Sequence, residues 1–363
     1  MIRSIYVNNY KSFVNFKIYF DQVGVLIGKN GSGKSNLLTL LLSLMSFMRG
    51  QCDARTSFPD TTLTKWMKSD IQTFELEVSD EKDTYQYQLE ISHNKNTGLI
   101  YAHKETIKKD ETVIVELKDG EGTINIGDSK KKDILTDNKY SALNLIPDNA
   151  GNHSIQALKK LINEIIICSP NPKRMDELAA NDIYFPEYEL QNIASVYLGI
   201  TQIRPEIISD LWNAMKESNP AFVRSGIGFV NYSKYLALTY KYSDQELEHH
   251  FLEISDGEKM LFSLYLLLYG YILQGMTVLL DEPDNFLSLR EIQPWCMELE
   301  QVLETKGQCI MVSHHPEVID YYADNYGIWF SRITSGETVL EENPYYRDDE
   351  EKLLRYSELI ARG

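Results

Sequence analysis

The sequence is poor in cysteine and poor in positive charge. Four cysteines occur in 363 residues: Cys52, Cys168, Cys296 and Cys309. None forms a CxxC pair and none has a histidine at ligand spacing, which excludes a disulfide framework and an evident zinc site. They read as buried apolar residues of a reducing compartment. Lysine and arginine number 36 against 53 acidic residues, a net charge of -17. That balance excludes a chain that coats nucleic acid non-specifically, because phosphate contacts need clustered cations; a local basic face leaves nucleic acid open as a partner. The N-terminus has no basic segment leading into an apolar one, so no secretory signal is expected. No internal repeat occurs, and apolar heptads never run for several turns, which excludes long coiled-coil arms. The one long charge-free run, LFSLYLLLYGYILQGMTVLL at 261–280, has the length of a bilayer span. Gly270, Gln274 and Gly275 interrupt it, and Thr277 to Leu280 is a β-type run ending in Asp-Glu. The run therefore reads as a buried helix followed by a buried strand. The expectation is a cytoplasmic protein without membrane contact.

What is present is ordinary globular material, 43% hydrophobic and 25% charged, enough for two or three packed lobes. IRSIYVNNY and FVNFKIYF alternate as a β-pair joined at Lys11-Ser12, and VGVLI is a short buried strand. GKNGSGKS and the apolar helix NLLTLLLSLMSFM complete an N-terminal segment over 1–50. Residues 51–150 form a β-rich lobe. Its first part is a mixed loop; FELEVS, TYQYQLEIS, LIYAHKETI, TVIVELK and GTINIG then make an antiparallel meander broken by turn residues. A polar, flexible connection over 128–150 closes the lobe, with the lysines at 130–132 in a solvated loop. Residues 151–250 read as a helical insert. IQALKKLINEI, PKRMDELA, LQNIASVYLG and PEIISDLWNAMKES are its helices, while IIIC and NYSKYLALTYKY are strand-like. Residues 251–335 alternate helix and buried strand in the manner of a parallel sheet. The tail, 336–363, ends in a plausible amphipathic helix, DDEEKLLRYSELIARG.

Gly28 to Ser35 fits GxxxxGK[ST], placed after a buried strand and at a helix start. The glycines let backbone N–H groups wrap a phosphate, and the helix N-terminus adds partial positive charge. Lys34 is placed to reach the β- and γ-phosphates and Ser35 to coordinate Mg²⁺. VLLDEP at 278–283 supplies the second half of such a site. Its four apolar residues bury a strand, and Asp281 emerges at the C-terminal end as the Mg²⁺ partner. Glu282 beside it is the candidate general base for an attacking water. CIMVSHHPEVID is another buried strand, ending in Ser313-His314-His315; His314 is the candidate γ-phosphate contact. Glu253 to Met260, EISDGEKM, is either a helix cap built on Ser255 or an anion site facing a second nucleotide, with Gly257 allowing close backbone approach.

The order of these motifs resembles the ABC-type ATPases, specifically the SMC/RecF-like branch and the single-chain ATPases related to the OLD (overcoming lysogenization defect) family. The matching stretches are Val7 to Phe13, Gly28 to Asn36, Ile254 to Gly257, Asp281 to Leu287 and Ser313 to Pro316. The resemblance implies an α/β fold: a P-loop ATPase head with a mostly parallel sheet, an antiparallel β lobe and a helical insert. It implies two ATP molecules held between two heads of a homodimer. In that arrangement Asn30, Gly31, Ser32, Gly33, Lys34, Ser35 and Asn36 of one copy face Ser255 and Gly257 of the other. Lys11 and Ser12 would lie beside the nucleotide, and Asp284 would lie in the loop that crosses the interface. Asp256 and Glu258 stand where transporters have Gly and Gln, and Ser288 stands where relatives often have a basic residue. Gln72 and Gln191 are the candidates for a glutamine loop.

The resulting expectation is an ATP- and Mg²⁺-dependent ATPase that dimerises on ATP and drives a partner. The stretch after His314 is too short for the nuclease domain of OLD relatives, so the resemblance points to a separate effector chain in antiphage defence. The rival readings are a DNA-maintenance head, a transporter's ATP-binding subunit and a small-molecule kinase. The last has no use for SDGE or SHH.

Overall fold

The computed structural model describes residues 1–126, 130–147, 152–180, 184–342 and 356. The chain opens on strands β1 (Ile2–Asn8), β2 (Phe16–Tyr19) and β3 (Val23–Ile27), followed by helices α1 (Lys34–Met48) and α2 (Ala54–Ser57). Six strands follow: β4 (Ile71–Ser79), β5 (Thr84–Asn94), β6 (Leu99–Lys109), β7 (Thr112–Lys118), β8 (Glu121–Ile126) and β9 (Lys130–Leu135). Helices α3 (Ala142–Leu145) and α4 (His153–Asn163) lead to β10 (Ile165–Cys168) and β11 (Leu178–Ala179). Next come α5 (Ile193–Ile203), α6 (Ile207–Ser218), β12 (Phe222–Val230), β13 (Ser233–Tyr242) and β14 (Gln245–His250). The last part is α7 (Asp256–Gly270), β15 (Thr277–Asp281), α8 (Leu289–Leu303), β16 (Gln308–Val312), α9 (Pro316–Tyr326), β17 (Gly327–Arg332) and β18 (Thr338–Glu341).

The chain divides into two compact units. The first contains Met1–Asp21, Gly28–Ile165 and the segment beginning at Ile328. Its antiparallel sheet runs β2-β1-β4-β5-β6-β7-β8-β9. The period-2 alternation of β4 and β5 puts Phe74, Leu76, Val78, Tyr85, Tyr87, Leu89 and Ile91 on the buried face, as a half-buried sheet requires. Helix α1 buries leucines over most of its circumference, and between helix and sheet Phe47 meets Phe58 edge-on while Phe58 stacks on Phe74. Asp119 and Gly120, both with positive φ, make the tight β7–β8 turn. Glu105 pins the lobe internally: its buried carboxylate accepts from Tyr87 Oη at 2.8 Å, Ser141 Oγ at 2.6 Å and the Ala142 N–H at 2.8 Å.

The second unit contains Gln22–Ile27 and Ile166–Gly327. Strands β10, β15, β16 and β3 are neighbours in one sheet, with β15, β16 and β3 mutually parallel. These strands are near-continuously apolar, as sheets covered on both faces demand. Helix α7 buries nearly every residue after its first turn and, with β15, accounts for the charge-free run. Among the described residues no helix is long and apolar enough to cross a membrane. A second, antiparallel sheet of β11, β13, β12 and β14 belongs to the same unit.

Several expectations change. The lysines at 130–132 lie in β9, which pairs with β8 in a hairpin at the sheet edge, not in a solvated loop; a charged edge strand leaves no apolar signature. PKRMDELA is not helical. Backbone groups of this segment are taken elsewhere: the Leu236 N–H donates to Glu177 O and the Asp176 N–H to Gln191 O. The helical insert is helical only in part, because residues 222–250 form three antiparallel strands. The strand-like NYSKYLALTYKY is β13, while Gly226 and Gly228 in β12 and the charges of β14 mask the period of its two partners. Cys168, Cys296 and Cys309 are buried as expected, while Cys52 is half-buried. The tail helix proposed over 348–363 lies outside the described residues except for Tyr356.

Candidate functional site

In the first unit the P-loop is a glycine-built cradle. Gly28, Gly31 and Gly33 have φ of 152°, 80° and 117°, values that disfavour side chains. A Cβ at Gly28 would collide with the Phe330 carbonyl, and one at Gly33 would lie 2.6 Å from Thr338 Oγ1. Gly33 is the N-cap of α1; no side chain caps the helix and its first turn holds no acidic residue. The helix end therefore offers its positive pole without an internal anion. Lys34 is buried, its Nζ donating to the Gly28 carbonyl at 2.6 Å and the Lys29 carbonyl at 3.1 Å. Ser32 Oγ is buried with no hydrogen-bond partner among the described residues. Ser35 and Asn30 are exposed. A cradle of this shape, with a helix pole, a cation and an unused hydroxyl, fits a phosphate chain.

Two more segments of this unit close on the cradle. Lys11, in left-handed backbone at φ 49°, donates from Nζ to Asn36 Oδ1 at 3.0 Å. Burial pulls its ammonium below the usual lysine range. Ser12 is buried, with its Oγ 2.8 Å from Thr338 Oγ1, which in turn donates to the Ser32 carbonyl at 2.8 Å. The Thr338 N–H donates to the Ser12 carbonyl at 2.9 Å. Arg332 donates from Nη1 to the Gly31 carbonyl at 3.3 Å. Thr338 and Arg332 carry no motif, so sequence reasoning missed both. Gln72, a candidate glutamine-loop residue, is buried instead in a network. Its Nε2 donates to the Asn9 carbonyl at 2.9 Å, and its Oε1 lies 3.0 Å from His93 Nε2. Gln191 of the second unit turns its Oε1 to the Glu189 N–H at 3.2 Å.

In the second unit the parallel register places Leu26, Val312 and Asp281 level across β3, β16 and β15. The C-terminal ends of the three strands thus share one sheet edge, where open α/β sheets bind ligands. The chain leaves β3 there into the P-loop, leaves β15 into Glu282 and leaves β16 into Ser313-His314. Glu282 is held in left-handed backbone at φ 51°, its N–H donating to the Val312 carbonyl at 2.9 Å. A non-glycine residue so placed is a strained position of the kind that clusters at working sites. Its Oε2 accepts from Asn285 Nδ2 at 2.7 Å, and its Oε1 lies 3.9 Å from His314 Nε2. Both side chains are partly exposed, at 43% and 42%, so water reaches the pair. Asp284 is buried, accepts from Ser313 Oγ at 3.1 Å, and has its carboxyl raised above the usual range, chiefly by burial. His315 serves α9 as a cap, its Nδ1 accepting from the Glu317 N–H at 3.3 Å. Burial, and after it the charge of Asp281, pushes the Tyr188 phenol up to about 12.

Ser255 caps α7. Its Oγ accepts from the Glu258 N–H at 3.2 Å, and Glu258 Oε2 accepts from the Ser255 N–H at 3.3 Å, a capping box. Gly257 sits against the loop after β15: a Cβ there would stand 3.1 Å from the Phe286 carbonyl. The Ser255–Gly257 stretch and the Asp284 loop are thereby brought into contact within one chain.

Among solved structures the fold is similar to an SMC head bound to the C-winged helix domain of ScpA, with a TM-score of 0.56 and 13% identity, covering 94% of this chain and 97% of that one. It is also similar to an SMC head with an extended coiled coil bound to the C-terminal domain of ScpA, derived from Pyrococcus furiosus. There the TM-score is 0.53 and the identity 11%, covering 94% of this chain and 95% of that one. At such identity the likeness speaks for the fold alone, the α/β fold of an SMC head. No curated protein matches the sequence. A family model matches residues 24–320, most of the chain, and so the protein belongs to the family described as "AAA domain, putative AbiEii toxin, Type IV TA system".

Proposed function

We propose that the protein is an ATPase that binds ATP and hydrolyses it to ADP and phosphate, working as a homodimer around two nucleotides. The observation that carries this reading is the register that brings the exits of β3, β15 and β16 to one edge, each exit opening a stretch with phosphate chemistry. Lys34 exchanges its loop carbonyls for β- and γ-phosphate oxygens, and the α1 N-terminus and the N–H groups of Gly31 to Asn36 hold the remaining charge. Ser35 and Asp281, a hydroxyl and a carboxylate, are hard oxygen donors of the kind Mg²⁺ takes. Among the described residues no group of three His, Cys, Asp or Glu could hold a metal, so Mg²⁺ would be bound together with the phosphates. The ion supplies neutralisation of charge on the phosphate oxygens. Glu282 takes a proton from the attacking water, and His314, within ion-pair reach of it, contacts the terminal phosphate. Ser255 and Gly257 present their helix N-terminus to the nucleotide of the other copy, and Asp284 orders the loop between them.

The output is a conformational change passed to a separate effector chain, in a cytoplasmic antiphage system. The family description names a putative toxin of a Type IV TA system, and a two-component system is the setting this reading takes.

The reading is tested on three preparations. Glu282→Gln binds ATP, turns over at least about 10²-fold more slowly and accumulates as a dimer in light scattering. Lys34→Ala and Ser255→Arg chains, each inactive alone, regain part of the turnover when mixed, because one composite site is intact. Full turnover by a wild-type monomer at every dilution sinks the shared-site reading.

A further inference from the structure

Four tryptophans occur in the chain, and three are spoken for. Trp295 and Trp329 are buried, and half-buried Trp212 donates from Nε1 to Ser225 Oγ at 2.9 Å. Trp66 is 45% exposed, which leaves much of a large, rigid aromatic ring open to a stacking partner. Its surroundings, all in the first unit, are built. The Met67 N–H donates to the Thr64 carbonyl at 3.2 Å, making the turn that carries Trp66. The loop just before it is locked to Lys11: the Lys11 N–H donates to the Thr62 carbonyl at 2.6 Å, and Tyr10 bridges to Leu63. On its other side the outer edge of the indole meets the β17–β18 turn, where a Cβ on Gly336 would stand 3.2 Å from Trp66 Cη2. That turn is clamped by Arg332, whose Nε donates to the Gly336 carbonyl at 3.0 Å while its Nη1 donates to Gly31 of the P-loop at 3.3 Å. An exposed aromatic ring, two cations and the phosphate cradle thus occupy one continuous set of contacts.

Resting on the ATPase reading, we propose that Trp66 is the platform on which the nucleotide's base stacks, with Lys11 and Arg332 flanking the sugar-phosphate side. The ligand class is a nucleoside triphosphate, recognised at the base through its π-face. Since every base has such a face, the platform discriminates weakly among bases and strongly against a phosphate chain without one. Gly336 has no side chain to lift the indole from its turn, and Arg332 ties the platform's support to the loop that holds the phosphates.

Trp66 is the reporter for its own test. With the full chain, ATP and GTP quench tryptophan emission saturably, whereas inorganic tripolyphosphate binds without quenching. In calorimetry Trp66→Ala raises the ATP dissociation constant about tenfold and leaves that of tripolyphosphate unchanged; Trp66→Tyr restores most of the ATP affinity. The side chain is exposed, so these variants keep the fold, checked by an unchanged melting temperature. ATP binding that neither quenches Trp66 nor weakens in Trp66→Ala overturns the platform and leaves the ATPase reading standing. Failure of the wild-type chain to bind ATP overturns that reading instead, and the platform with it.

Discussion

Ser313 Oγ donates to Asp284 Oδ2 at 3.1 Å, with both side chains buried. The bond joins the end of β16 to the loop that follows β15, so the His314 backbone and the Glu282–Phe286 loop move as one piece. Burial raises the Asp284 carboxyl above its ordinary value. An acid whose folded-state pKa is raised contributes fully below its unfolded value and loses that contribution as pH rises through the folded value. Asp284→Asn keeps the acceptor for Ser313 and removes the charge. The variant should melt at or above the wild-type temperature at neutral pH, with the gap closing as pH falls toward about 4. Calorimetric melts across that range check it; a variant less stable at neutral pH would mean the carboxylate is stabilised rather than penalised.

Thr338 is the bolt of the P-loop cradle. Its Oγ1 joins Ser12 and the Ser32 carbonyl, and its N–H holds Ser12. Thr338→Ala leaves buried polar groups unmet and should lower stability by about 1–3 kcal/mol in denaturant titration. ATP affinity falls with it, and Thr338→Ser recovers both.

The two readings of Ser255 separate by charge. Ser255→Ala removes the cap and should cost about 0.5–2 kcal/mol. Ser255→Asp is also a good cap, but its carboxylate would meet Glu258 Oε2, to which the Ser255 hydroxyl donates at 2.9 Å. Paired with Glu258→Gln, which keeps the capping box neutral at that position, it should melt near the wild-type temperature, yet it sets a carboxylate against the partner's nucleotide. Loss of ATP-dependent dimerisation in the paired variant with stability kept supports the shared site; normal dimerisation reduces Ser255 to a cap.

Gln72 is bonded to Asn9, Thr62 and His93 inside the first unit. Gln72→Leu should destabilise by about 1–3 kcal/mol and leave the Mg²⁺ dependence of turnover unchanged. A shifted Mg²⁺ dependence in a folded variant would return Gln72 to the metal site.

Much of the site was legible because its chemistry is local. A glycine loop between strand and helix, an apolar strand ending in Asp281-Glu282 and another ending in Ser313-His314 are each complete within a dozen residues, and the strands and helices carrying them formed as read. The meander was legible through alternation in β4 and β5. What escaped were strands without an apolar period, β9 with its lysines in a hairpin with β8 and β12 and β14 with their glycines and charges, and contact between separate segments, as at Gln72, whose partners are Asn9, Thr62 and His93.

From its sequence alone, the places of this protein's phosphate-type motifs and its division into alternating and apolar strands were determined, because motif spacing and side-chain period act over a few bonds. Tertiary structure alone decided that Thr338 and Arg332 seal a loop three hundred residues upstream in the chain, that Gly28 must be glycine to clear Phe330, and that Trp66 stands beside Arg332's turn. Those relationships depend on sheet register and chain return. Backbone hydrogen bonding enforces both only once the whole unit has closed.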